Sequence, residues 1–423
     1  MRVFIAPILA IILLATGWAA RVGAQVAVPS VQLPDVARTL PAFPELDARP
    51  LVQVADSLTE ARLDRITTLL RDHRDRVELD RNAQPAVRGI IVATGIDDAM
   101  IARAARQGFG LIERDRIAGL DLEVARFAVP QGRSLARAQK QLAKLLPDAE
   151  IDADHLYFQS GPGGALEVAA LTTTGASRGA APLGLVDGGV AAHPSVAGRV
   201  EQRGFAAGAP SASRHGTAVA SLLIGEGTVR GAAPGRRLAA ADVYGSDPVG
   251  GNASAIARAL GWLAERGVAV TTISLVGPDN KLVAAAVSRA QQRGMLIVAA
   301  VGNDGPAAPP AYPASYKGVV AVTGVDTSDR ALPEAGRALR VDFAAPGADV
   351  LAATGATSID RVRGTSFAAP LVAGRLAQHY PVPATDHIAA AVTALVMEAR
   401  DLGKKGRDPI YGHGLICGTC GGR

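Results

Sequence analysis

The stretch VAVTTISLVGPDNKLVAAAVSRAQQRGMLIVAAV, residues 268–301, decides how the rest of the chain is read. It opens on an apolar run from Val268 to Leu275 and turns through Gly277-Pro278-Asp279-Asn280. A helical segment from Leu282 to Arg293 follows, and a second apolar run from Met295 to Val301 closes it. Continuous apolar runs of this kind belong to strands buried on both faces, and a helix joining two of them makes the strands parallel. One β-α-β unit is thereby defined.

The alternation extends upstream through a strand at Leu183 to Asp187, a helix from about His215, a strand at Leu238 to Val243 and a helix from Ala253 to Arg266. The expected fold is α/β, a parallel β-sheet flanked by helices. The chain has 423 residues, 48% hydrophobic but only 4% aromatic, so its core must be built from closely packed Ala, Gly and Val. In such sheets, sites form beyond the carboxyl ends of strands. Asp187, Ser274 and Asn303 fall at or just after those ends.

Residues 88–160 carry a different order: strand (Gly89 to Ala93), helix (Asp97 to Arg106), strand (Gly110 to Arg114), strand (Leu122 to Ala128), helix (Ser134 to Leu146), strand (Ile151 to Phe158). This β-α-β-β-α-β pattern predicts a small α+β ferredoxin-like module, a four-stranded antiparallel sheet backed by two helices. Before it, residues 25–87 hold Pro-rich spacers and one helical pattern from Thr59 to about Arg74, with Leu63, Ile66, Leu69 and Leu70 on one face. This leader gives no function by itself and is expected to pack loosely or stay partly extended. Residues 1–24, Met1-Arg2 followed by an apolar run to Ala15 and small residues to Ala24, have the form of a signal peptide cleaved after Ala20 or Ala24. The run is shorter than the ~20 residues of a spanning helix. Secretion or a periplasmic location follows as the expectation.

Gly161-Pro162-Gly163-Gly164 opens a Gly-, Ala- and Thr-rich linker over 161–181, ahead of a catalytic domain at 182–416 and a short tail at 417–423. The only two cysteines, Cys417 and Cys420, stand in that tail. A redox motif should open a helix within a β-α-β unit and a structural zinc needs four ligands, so a short terminal disulfide or two spare thiols remain. The net charge of +5 is scattered, with no basic run interleaved with aromatics, which excludes a nucleic-acid partner. No acidic cluster has the spacing of a calcium loop. No cofactor or metal is expected, and the protein is expected to be a monomer.

Four positions carry chemistry. Hydrolysing an amide through a serine requires a base that takes the hydroxyl proton near neutral pH and returns it to the leaving amine, a task suited to histidine. The imidazole needs a buried carboxylate to fix its tautomer, and the developing oxyanion needs fixed donors. Val186-Asp187-Gly188, His215-Gly216-Thr217, Gly302-Asn303-Asp304 and Gly364-Thr365-Ser366 supply Asp, His, Asn and Ser, each at the end of an apolar run or opening a helical one. A lipase-type esterase would show Gly-x-Ser-x-Gly with its acid and histidine after the serine, whereas both precede it here.

On "HGTAVASLL", "AAVGNDGP", "GTSFAAPLVAG" and "YGHGLI", residues from about Leu183 to Ile416 resemble the subtilase family of serine proteases. The resemblance implies a Ser-His-Asp triad of Ser366, His215 and Asp187, with Asn303 as oxyanion residue. It also implies a substrate-pairing strand at Ser274, Leu275, Val276 and Gly277, a pocket wall at Ala300, Val301 and Gly302, and a cis bond at Tyr312-Pro313. Protein or peptide substrates follow, and residues 88–160 match the family's prosegment, an intramolecular inhibitor cut away between Tyr157 and Ala181. Val276 departs from the usual glycine and is expected to narrow the pocket. Gly188 and Ala218 also depart from the family pattern, without removing a catalytic group. The rival within the same fold is a catalytically silent subtilase that binds peptides or proteins.

Overall fold

Short side chains let strands and helices approach closely here, and the arrangement that results can be followed in a computed structural model describing residues 48–159 and 181–420. The expected signal peptide and nearly all of the linker lie outside the described residues.

Helix α1 (Ala48–Asp72) comes first. It begins well before the expected Thr59 and packs through Leu58, Arg62, Ile66 and Leu69, while Leu63 is 38% exposed. Of the four residues expected on the inner face, Ile66, Leu69 and Leu70 pack inward and Leu63 does not, while an arginine stem, that of Arg62, joins the face. Among the described residues, the leader is docked along this helix, not loose, and residues 25–47 lie outside them.

Then follow β1 (Val77–Leu79), β2 (Pro85–Thr94), α2 (Asp98–Arg106), β3 (Gly110–Ile117), β4 (Leu122–Ala128), α3 (Leu135–Leu145) and β5 (Glu150–His155). The sheet is antiparallel, with β4 between β2 and β3, and β1 and β5 both pairing with β2. It has five strands where four were expected, since the leader contributes β1. Asp97 caps α2 by accepting the Met100 N–H. Ile91, Phe109, Phe127, Leu135, Leu142 and Ile151 form the module's core. The two-residue strand β6 (Phe158–Gln159) ends this part.

The second part contains β7 (Leu183–Asp187), β8 (Val200–Gly204), α4 (Arg214–Ile224), β9 (Leu238–Asp242), α5 (Ala253–Glu265), β10 (Val270–Ile273), β11 (Leu275–Val276), α6 (Lys281–Gln292), β12 (Leu296–Ala300), β13 (Val320–Val325) and β14 (Phe343–Pro346). A hairpin of β15 (Val350–Ala353) and β16 (Ile359–Val362) precedes α7 (Thr365–His379) and α8 (Ile388–Glu398). Seven strands form a parallel sheet in the order β14-β13-β12-β10-β7-β9-β8.

Successive residues face opposite sides of that sheet. Leu185, Val298, Ala300 and Val322 pack with Leu222 and Val372 of α4 and α7, whereas Val186, Ile273, Ile297 and Ala299 pack with Ile256, Leu260 and Val283 of α5 and α6. From β7 the chain runs to β8 and β9 on one side and then to β10 on the other. This reversal opens a crevice at the carboxyl end of β7, where Asp187 stands. Tyr312-Pro313 is cis, as is Ala209-Pro210, and Cys417 and Cys420 are joined as a disulfide. Among the described residues no helix is long and apolar enough to cross a membrane.

Candidate active site

Asp187 closes β7 with no exposed surface, and His215, the second residue of α4, is 2% exposed. The Nδ1 of His215 lies 2.9 Å from each carboxylate oxygen of Asp187. Asp187 Oδ1 also accepts the Gly188 N–H at 2.7 Å. The imidazole is aimed by its helix: Ser213 caps α4 by accepting the Gly216 N–H at 2.9 Å, which fixes the first turn. With Nδ1 donating to the carboxylate, Nε2 carries the lone pair. That atom is buried and has no hydrogen-bond partner among the described residues.

Ser366 is the second residue of α7 and is fully buried. Gly364, the residue before the helix, holds φ +140°, a conformation that L side chains rarely adopt. The ring of Phe367, next to Ser366, stands 5.3 Å from the His215 ring, so the start of α7 faces the imidazole. Ser274 Oγ donates to the Ser366 carbonyl at 2.9 Å, which ties the end of β10 to the serine.

Asn303 follows β12, and its Oδ1 accepts the Thr365 N–H at 2.9 Å. Thr365 Oγ1 donates to the Gly302 carbonyl at 3.0 Å and accepts the Gly302 N–H at 3.1 Å. Thr365 thus fastens the Asn303 loop to the helix that carries Ser366, a role not apparent from the sequence. Nothing in a local string distinguishes this threonine from a helix cap. Asp242, in register with Asp187 on β9, was not apparent either. It accepts N–H bonds from Ser211, Tyr244 and Gly245, so it anchors the approach to α4. Burial, with the Asp187 charge adding, holds its carboxyl above the usual carboxylate range.

Of the expected substrate-binding residues, Leu275 and Val276 form β11, and Gly277 bridges Tyr312. Facing them, Ala300 ends β12, with Val301 and Gly302 immediately after it. The strand lying against β11 comes from the chain itself: β6 pairs antiparallel, Phe158 opposite Val276 and Gln159 opposite Leu275. On the other side of this segment, the Tyr157 N–H donates to the Gly251 carbonyl at 2.9 Å and Leu156 bridges Asn252. Tyr157 is buried over Gly277, where a Cβ would come within 2.5 Å of its ring, and its hydroxyl donates to the Pro278 carbonyl at 2.9 Å. Gln159 Nε2 reaches Asp187 Oδ1 at 3.1 Å.

Behind this strand, Asp154 accepts the N–H and hydroxyl of Ser254 at the start of α5, both at 2.9 Å, and Asp152 accepts the Lys281 N–H at the start of α6 at 3.0 Å. Carboxylates at helix N-termini are stabilised by orphan N–H groups and the helix dipole. Asp80, Asp152 and His155 are close enough to hold an ion, but hydrogen bonds already engage them. His155 faces Asp80 at 3.0 Å and Asn280 at 2.8 Å, and Asp152 accepts from Gln139 at 2.9 Å.

A parallel α/β sheet with a buried Asp-His pair at its switch point and a serine at a facing helix start defines a class, the hydrolases that work through a nucleophilic serine. The chain belongs to the subtilase family, whose family model matches residues 180–414. It is 32% identical to Subtilisin BL of Lederbergia lenta over 246 residues, 55% of this chain and 87% of that protein. To the M-protease of Shouchella clausii it is 27% identical over 370 residues, 83% of this chain and 92% of that protein. The fold matches that of fervidolysin from Fervidobacterium pennivorans, a keratinolytic enzyme related to subtilisin, with a TM-score of 0.64 and 19% identity. That match covers 81% of this chain and 62% of fervidolysin. The protein is accordingly a serine-type endopeptidase, and its substrates are proteins or peptides.

Proposed function

We propose that the chain is an exported zymogen whose peptidase cuts through Ser366, His215, Asp187 and Asn303 and is held latent by its own prosegment. The observation that carries this reading is the His215 imidazole, with Nδ1 committed to Asp187 and a buried Nε2 left for a proton. In the reaction Ser366 Oγ attacks the scissile carbonyl carbon while its proton passes to His215 Nε2. Asp187 stabilises the imidazolium that results. The carbonyl oxygen, now negative, is held by the Asn303 side-chain amide and the Ser366 backbone N–H. Collapse breaks the C–N bond, the amine leaves with the proton from Nε2, and a water activated by the same nitrogen hydrolyses the acyl-enzyme.

The prosegment reading is supported by residues 156–159, of which Phe158 and Gln159 pair with β11 and Leu156 and Tyr157 with residues 251–252, as a substrate backbone lying in the cleft would, and which end beside Asp187. The cut is proposed one or two residues beyond Gln159, where the Gly161-Pro162-Gly163-Gly164 arm begins. Export is supported by a relative, the Minor extracellular protease Epr of Bacillus subtilis, together with the N-terminal sequence.

A fluorophosphonate probe and N-terminal sequencing test this together. The parent chain is expected to label and to yield a mature N-terminus near residue 161. Ser366→Ala is expected neither to label nor to process. Equal labelling in Ser366→Ala would remove the triad, an intact parent that never labels would leave the silent binding module, and a mature start upstream of Arg88 would remove the prosegment.

A further inference from the structure

Three contacts tie the leader helix α1 to the loop that carries Asn303. Arg62 Nε lies 3.4 Å from Asp304 Oδ2, and Arg65 Nη2 lies 2.8 Å from Asp304 Oδ1. Leu58 sits on Gly305 so closely that a Cβ there would come within 2.9 Å of its Cδ1. The Arg65 guanidinium also stands 5.2 Å from the centroid of the Phe158 ring, on the strand that occupies the cleft. One helix face therefore touches both the Asn303 loop and the residues paired with β11. Beneath it is a cavity of about 280 Å³ whose walls include Ile66, Phe158, Val276, Gly302 and Asp304. The helix roofs the pocket between Val276 and Gly302.

We infer that α1 is a second inhibitory element, distinct from the cleft-filling strand: a clasp in which Arg62 and Arg65 grip Asp304 and close the pocket from outside. It rests on the peptidase reading above. The segment belongs to the leader and precedes the β-α-β-β-α-β module, so the module alone does not supply it. Cutting the chain beyond Gln159 leaves every one of these contacts intact, because none involves the severed bond. The cut enzyme then remains latent until α1 lets go, and activation has two stages. The ion pairs are partly exposed, which makes the clasp weak enough to release.

The test uses the full chain and follows the time to half-maximal fluorophosphonate labelling of Ser366, normalised to the final labelled fraction, with processing followed on gels. R62E/R65E is expected to leave the cut itself unchanged and to shorten the interval between cutting and labelling by about fivefold or more, since two attractions to Asp304 become repulsions. R62A/R65A is expected to fall between it and the parent. Restoring opposite charges in R62E/R65E/D304K is expected to lengthen the interval again. An interval within twofold of the parent in both double variants, with normal cutting and labelling, overturns the clasp and leaves the peptidase reading standing. Absence of labelling in every chain, the parent included, overturns both.

Discussion

At the scale of single residues, the proposed pocket depends on Val276, whose side chain faces Gly302. Gly302 holds φ +89°, and a Cβ built on it would lie 3.1 Å from Val276 Cγ1, so Val276 leaves no room for a side chain at 302 and fills part of the space between the two walls. Val276→Gly removes three carbons from that gap. Each methylene-sized change in an apolar pocket is worth about 1–3 kcal/mol, or roughly 10–200-fold in discrimination. Cleavage of a peptide library is expected to shift from small residues toward Leu and Phe before the scissile bond by about tenfold or more in kcat/KM ratio. An unchanged profile would take the pocket away from Val276. This crowding was legible in the sequence, as was the pairing of His215 with Asp187, because each stands in a short string whose chemistry is local. The fastening by Thr365 was not legible. Its partner Gly302 is far away along the chain, and only the packing of α7 beside β12 brings the two together.

At the scale of elements, the last long strand of the antiparallel module, β5, caps two helices of the part that carries the parallel sheet. Its residues alternate, so Asp152 and Asp154 point the same way and reach the starts of α6 and α5. The sequence pattern foretold β5 and both helices, yet gave no sign that one would cap the others, since each carboxylate reads as an ordinary exposed strand residue. Asp154 has no exposed surface and holds two bonds to Ser254. Asp154→Ala, made in Ser366→Ala to prevent processing, is expected to lower stability by about 1–2 kcal/mol, the usual cost of a lost cap. The urea midpoint measures it. Asp154→Asn keeps an acceptor and is expected to lose less. A midpoint unmoved by the alanine would mean that the docking of β5 does not depend on this cap.

Across the whole molecule, the segment before β2, the antiparallel module and the part that carries the parallel sheet meet at His155. Asn280 caps α6 by accepting the Leu282 and Val283 N–H groups with Oδ1, so its Nδ2 must donate to His155 Nδ1, and His155 Nε2–H donates to Asp80. Asp80 also accepts the N–H groups of Asn82 and Gln84. The expected helix-and-strand sequence could not foresee this junction, which joins residues from three separate segments. Burial pushes the Asp80 carboxyl up, but the His155 bond and the two backbone donors outweigh it, so its pKa lies below the usual carboxylate range. A depressed folded pKa contributes stability that is present above the unfolded value, near 3.9, and lost as pH falls through the folded one. Asp80→Asn removes the charge and turns an amide N–H toward the His155 N–H, leaving donors unsatisfied at about 1–3 kcal/mol. In the uncut Ser366→Ala chain, Asp80→Asn is expected to lower the urea midpoint at pH 7. The difference from its parent should begin to shrink as pH falls below about 3.9, where the unfolded carboxylate protonates, and should vanish as pH falls through the lower folded pKa. A gap that stays constant or widens in acid would show that Asp80 holds the three segments together by shape and not by charge.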